Sequence, residues 1–173
     1  MRLFLDSFSG AQVASDAYPH EEIYAGAGIR FTAAFETKLE SYAGLPEGEG
    51  DNNDGGDGET VINLADTYNL HPVDGITVKE WMAMVKLIMK ASMKKFNAEG
   101  DKSEDEVKDF KKGCVEFVNF IKNNFDNIQL YQCDIGEYEG LEQSYGYAIS
   151  ENDDNPLELS FYFFRQTLND EKY

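Results

Sequence analysis

Two helix-start signatures constrain this chain more than any other feature. Thr77-Val78-Lys79-Glu80 and Ser103-Glu104-Asp105-Glu106 each set a hydroxyl three residues ahead of a glutamate. That is the capping box, in which side chain and backbone satisfy the first orphan amides of a helix. Behind the first lie Val78, Trp81, Met82, Val85, Met89, Ser92 and Phe96. Behind the second lie Val107, Phe110, Cys114, Phe117, Ile121 and Phe125. Both sets recur at three- and four-residue intervals, so each fills one stripe of a helix and neither suits a strand. The polar stretch from Asn97 to Lys102, with Gly100, is too short for anything but a tight connection. Residues 77–127 are therefore expected to form an antiparallel helical hairpin. Gly113 inside the second helix costs about 1 kcal/mol relative to alanine, and close approach of the facing helix is the expected offset.

Around the hairpin the pattern changes to strands. Residues 2–5, 28–36, 60–64, 128–134, 145–150 and 157–164 are rich in aromatic and β-branched side chains, which suit a pleated, half-buried surface. Asn152-Asp153-Asp154-Asn155-Pro156 marks a turn before the last of them. Strands, a helical hairpin, then strands again indicate an α+β fold with a mainly antiparallel sheet. A single domain over residues 1–173 fits this length. Residues 39–59 are the exception: from Pro46 to Glu59 they hold no apolar residue beyond the proline. Such a stretch cannot offset its ordering entropy by burial and is read as a flexible acidic loop.

Charge is distributed unevenly. Residues 77–127 carry ten of the chain's 15 basic residues, all lysines, against nine of its 33 acids. The remainder holds five basic and 24 acidic residues, a net of −19 on a chain of −18 overall. A lysine-striped segment on a strongly acidic body offers partners two different faces. Acidic protein segments suit Lys90, Lys94, Lys95, Lys111 and Lys112; a further groove of Met84, Leu87 and Ala91 is an alternative docking surface. The overall charge argues against nucleic acid and anionic membranes as partners. No segment approaches the roughly 18 apolar residues of a membrane helix, and Asp6 interrupts the opening apolar run too early for a signal peptide. A cytosolic protein is expected.

Catalytic material is sparse. His20 and His71 lie in no recognisable motif, Cys114 falls on the apolar stripe, and no low-pKa setting can be read for Cys133. Gly26-Ala27-Gly28 lacks the third glycine of a phosphate loop, and there is no CxxC for a structural zinc. The expectation is a protein without enzymatic activity that requires no cofactor. Asp51 as the first position of a calcium loop places Ile62 where the bidentate glutamate belongs, so an EF-hand is excluded. Asp51, Asp54, Asp57 and Glu59 are left as a loose, weak calcium site.

Five pieces in order resemble the translationally controlled tumour protein family, also called fortilin or histamine-releasing factor. They are the opening with Asp6, Ser9, Ser15-Asp16 and Tyr18; Pro46-Glu47-Gly48-Glu49-Gly50; Thr60-Val61-Ile62 with Asp66; Val107-Lys108, Phe110, Gly113, Glu116, Ile121, Asn124-Phe125, Asn127 and Gln129; and Glu171-Lys172. The resemblance implies a β-tent core, akin to guanine-nucleotide-release chaperones, with a projecting helical hairpin. It also implies a non-enzymatic cytosolic regulator of growth, survival and cytoskeleton. Implied partners are tubulin or microtubules, anti-apoptotic proteins, a translation elongation factor and a small Ras-like GTPase; calcium is an implied ligand. The implied GTPase-facing surface lies near Gln12 and Asp134. Here the sequence departs from the family: Ala11-Gln12 replaces an acidic pair, and Cys133-Asp134 stands for Gly-Glu unless that motif slips to Gly136-Glu137. Docking of partners is the expected function, with nucleotide exchange or chaperoning of a GTPase, or weak calcium binding, as alternatives.

Overall fold

The last long strand is the hinge of the architecture, because both of its faces are buried. In a computed structural model that describes residues 1–38, 59–134 and 143–172, Glu158–Phe164 alternates Phe161 and Phe163 to one side with Tyr162 and Phe164 to the other. A strand's two-residue period makes this possible, and two aromatic-rich cores on opposite faces of one sheet follow from it.

The strands in chain order are β1 (Arg2–Asp6), β2 (Gln12–Ser15), β3 (His20–Ile23), β4 (Gly28–Lys38), β5 (Glu59–Ile62), β6 (His71–Val73), β7 (Gln129–Gln132), β8 (Gly146–Ile149), β9 (Glu158–Phe164) and β10 (Leu168–Lys172). The helices are α1 (Asn63–Tyr68), α2 (Val78–Ala98) and α3 (Glu104–Asn123). A small sheet runs β10-β1-β2; the large one runs β3-β4-β9-β8-β7-β6, with β5 paired to the far end of β4. Every pairing is antiparallel, so the α+β expectation holds. The small sheet covers one face of the large sheet through Phe4, Val13, Ile29, Phe31, Phe161, Phe163 and Leu168. The hairpin covers the other through Trp81, Val85, Ile88, Phe117 and Ile121 against Tyr147, Tyr162 and Phe164.

The hairpin forms where the caps place it. The Thr77 hydroxyl accepts from the Glu80 amide at 3.1 Å, and the Ser103 hydroxyl from the Glu106 amide at 3.1 Å. It does not project as an arm, however. Trp81 is fully buried and donates its Nε1–H to the Tyr147 hydroxyl at 3.0 Å, fastening α2 to β8. Further along, Phe96 and Phe110 stack at 4.0 Å over Ala27. Contact thus extends along the helices, because their apolar stripes match the aromatic outer face of β8 and β9.

Gly113 has a different reason from the one expected. A Cβ there would collide with the carbonyl oxygen of Tyr24, in the β3–β4 turn, and not with α2. That turn holds Tyr24 and Ala25 at φ 52° and 55°, and Gly26 donates back to the Ile23 carbonyl at 3.2 Å. Consecutive positive φ values of this kind favour Asn and Gly, yet in this four-residue connection between Ile23 and Gly28 two of them fall on residues that carry a Cβ. The Tyr24 ring stacks on Phe117 at 5.4 Å, which helps hold it.

Five elements went unforeseen: β2, β3, α1, β6 and β10. Residues 60–64, expected as one strand, divide into β5 and the start of α1. Glu59, assigned to the acidic loop, opens β5; the other residues of that loop lie outside the described ones.

Candidate partner-binding surface

The outer side of the hairpin keeps an open groove of about 530 Å³ between its helices. Met82, Val85, Lys86, Met89 and Met93 form one wall, at helical intervals along α2. Lys111, Cys114, Val115, Val118 and Asn119 form the other, on α3. Val85 and Cys114 are buried at its floor, whereas Val115 is 60% exposed. Burial pushes the Cys114 thiol up to about 11, so at neutral pH it is a protonated apolar wall and no nucleophile. The groove residues differ from the expected Met84, Leu87 and Ala91: Met84 packs against the sheet core, and Leu87 is exposed away from the groove.

Lys90, Lys94, Lys111 and Lys112 are exposed. Among the described residues, only Lys112 of these four forms an ion pair, with Glu116 at 3.9 Å, both side chains at least half exposed. A pair of that kind contributes little and leaves the ammonium available. Lys95 does not belong with them. Its Nζ donates to the Leu168 carbonyl and the Asn169 Oδ1, both at 2.8 Å, tying α2 to the small sheet. Burial, reinforced by the Arg165 guanidinium, lowers its pKa. Helical spacing alone could not show that a carbonyl waits at this position.

Gln12 and Asp134 each follow a residue that contacts the same buried carboxylate, Asp6. Asp6 is fully buried. Its amide donates to the Ala11 carbonyl beside Gln12, and the Cys133 thiol, beside Asp134, lies 3.7 Å from its Oδ2. The Ser9 hydroxyl (2.5 Å) and amide (3.1 Å) donate to Oδ2; the Ser144 amide (2.9 Å) and hydroxyl (2.8 Å) reach Oδ1. Ser144 Oγ is equally close to the Thr167 carbonyl at 2.8 Å. Gln12 is exposed, and Asp134 accepts from Asn69 Nδ2 at 3.3 Å. Burial and the Asp6 carboxylate push the Cys133 thiol up to about 12. In the sequence Asp6 stands out as a break in an apolar run and as part of the family-like opening, and neither reveals a buried hydrogen-bond hub. The signal that was available is Asp6-Ser7-Phe8-Ser9-Gly10, an acid followed by turn residues able to donate back to it.

His20 is structural: Arg2 Nη2 lies 3.3 Å from its Nε2, and the Tyr18 carbonyl 3.0 Å from its Nδ1. His71 is exposed in β6. Among the described residues no group of three or more His, Cys, Asp or Glu is placed to hold a metal ion. Of the acids assigned to weak calcium binding, Asp51, Asp54 and Asp57 lie outside those residues, as do Gly136 and Glu137, while Glu59 is exposed in β5. Nor is any described helix long and apolar enough to cross a membrane.

Comparison with known proteins agrees with this architecture over the full length. The family model described as translationally controlled tumour protein matches residues 1–169. A translationally-controlled tumor protein homolog of Plasmodium berghei is 28% identical over 181 residues, and one of Theileria annulata is 27% identical over 184; each alignment covers all of both chains. The solved structure of the translationally controlled tumor-associated protein p23fyp from Schizosaccharomyces pombe superposes with a TM-score of 0.74 at 25% identity, covering both chains completely. The Caenorhabditis elegans translationally-controlled tumor protein, at 20% identity and a TM-score of 0.68 over 100% of this chain and 99% of its own, shares the fold.

Proposed function

Since the chain belongs to the translationally controlled tumour protein family, we propose that it is a non-enzymatic cytosolic regulator that acts by docking acidic partner proteins on the outer side of its helical hairpin. The observation that carries this reading is the exposure of Lys90, Lys94, Lys111 and Lys112 on a chain of net charge −18. Among the described residues only Lys112 of the four has an ion-pair partner, and that pair is exposed, so on an otherwise acidic chain these ammonium groups make a locally attractive face. The acidic tails of tubulin fit that chemistry, and a translation elongation factor or anti-apoptotic protein would need an acidic segment to use it.

Each such pair contributes about 0.2–1 kcal/mol and is screened by salt. Four together give roughly 1–4 kcal/mol, or about four-fold to several hundred-fold in affinity. Changing Lys90, Lys94, Lys111 and Lys112 to Glu should reduce co-sedimentation with microtubules by at least the lower figure. Raising salt should weaken the wild type towards the variant. Undiminished binding by the folded variant would refute the assignment of this face.

A second reading has one observation in its favour. Ala11 and Cys133, the chain neighbours of Gln12 and Asp134, both contact Asp6, which supports a surface near these residues for nucleotide exchange on, or chaperoning of, a small Ras-like GTPase. Nucleotide-release kinetics decide it: no acceleration at micromolar protein removes the idea.

A further inference from the structure

We propose that the groove between α2 and α3 is a docking site for one amphipathic helix of an acidic partner, apolar side inward on Met82, Met89, Val115 and Val118, carboxylates against Lys86 and Lys111. This deepens the reading above, from which it takes the acidic character of the partner, and adds a shape that a disordered acidic tail does not need.

Part of the apolar surface here is left over after folding, since Met82, Met89 and Val118 are only partly buried against the core. The inner stripes of both helices are already buried against the sheet, yet Val115 stands 60% exposed on the outer side. A β-branched residue at an exposed helical position loses helix propensity and gains no packing in return. Around it, three methionines line one wall. Their unbranched, polarisable side chains adapt to a partner's surface where a stiff aliphatic wall would not.

Length and charge select the occupant. From Met82 to Met93 the wall covers twelve residues, eleven rises of 1.5 Å or about 16 Å of helix axis. That accommodates two to three turns of an incoming helix, whose i, i+4 and i+7 side chains would seat in succession. The described lining contains two lysines, one on each helix, and no acid. A purely apolar helix would leave those ammonium groups against hydrocarbon, and a basic one would be repelled by them. A second copy docking through the same groove would set Lys86 and Lys111 against their own counterparts.

The test uses the full chain and a synthetic fluorescent peptide of about 16 residues, with Leu and Phe on one helical face and Glu on both flanks. A scrambled peptide of the same composition and an oligoglutamate peptide serve as controls. Fluorescence anisotropy should show the patterned peptide binding roughly tenfold or more tightly than the scrambled one. Val115→Glu should remove that preference. Leu87→Glu, the same charge change at an exposed site outside the groove, should leave it intact; both sites are exposed enough for the variants to fold. Equal binding of patterned and scrambled peptides overturns the proposal, as do equal effects of the two variants. Sedimentation showing self-association of the protein that Val115→Glu abolishes would assign the groove to a second copy and overturn it too. If oligoglutamate binds, and is lost when the four exposed lysines are reversed, while the patterned peptide gains nothing, only the groove inference fails and the lysine face stands.

Discussion

Replacing Gly113 by alanine should destabilise the protein, although helix propensity alone says the opposite. In an open helix interior Gly→Ala gains about 1 kcal/mol. Here the new Cβ would occupy the space of the Tyr24 carbonyl oxygen. That oxygen is held in place, because it accepts from the Ala27 amide at 3.0 Å within a turn of left-handed residues. Relief requires α3 and the turn to move apart. Overpacking of this kind costs about 1–3 kcal/mol, and loosening the 5.4 Å stack of Tyr24 on Phe117 adds about 0.5–1.5 kcal/mol. After subtracting the propensity gain, the net loss is roughly 0.5–3.5 kcal/mol. Urea unfolding followed by circular dichroism measures it. Fluorescence of Trp81, the chain's one tryptophan, reports on the same transition from the boundary between hairpin and sheet. The midpoint should fall with little change in slope, and the melting temperature should drop by roughly 2–4 °C per kcal/mol. A midpoint equal to or above that of the wild type would show that the turn does not press on α3 and that the reasoning is wrong.

Two further outcomes follow from buried groups. Stability should fall as pH rises above about 9, where thiols and phenols begin to ionise in the unfolded chain. Burial holds Cys114 up to about 11 and Cys133 up to about 12, and raises Tyr145, Tyr147 and Tyr162 above their ordinary value. The folded state then binds more protons than the unfolded one, so the slope of stability against pH is negative in this window. Lys95, whose pKa is lowered, acts in the opposite sense but is one group against five. Phenolate absorbance should therefore rise together with the loss of circular dichroism; full ionisation of the tyrosines in a still-folded protein would contradict it. Separately, Asp6→Ala should cost roughly 1–3 kcal/mol by urea unfolding, since the buried Ser144 amide loses its acceptor. A loss below about 1 kcal/mol would mean that the network adds little beyond the desolvation it offsets.

What could be read from the sequence is what is local in the chain. The helices follow from caps and stripes within a few residues of each other, and β9 from a run of aromatic residues. β10 is the contrary case. Leu168–Lys172 is polar at four of five positions, and it is a strand because β1 pairs with it in register, Arg2 to Lys172. No window of sequence contains that partner. Gly113 and Lys95 fail for the same reason, since the atoms that explain them, the Tyr24 and Leu168 carbonyls, belong to distant segments. The groove shares this property: Val115 reads as one more apolar residue until the sheet has claimed the other side of its helix.

The position of the hairpin changes what its lysines can do. A free arm would present charge on every side and select partners by charge alone. Docked on the sheet through Trp81 and Phe117, it offers a single outer side, and ion pairs able to silence that side are largely absent among the described residues. The same docking turns Lys95 inward and keeps Val115 outward, so one packing decision separates structural from available groups. Partner binding and fold stability are then coupled through a common element. A change that loosens the hairpin from the sheet, such as Gly113→Ala, should also widen the groove and blur its two walls. Acidic tails, which need only charge, should tolerate that change better than an amphipathic helix, which needs the walls at a fixed spacing.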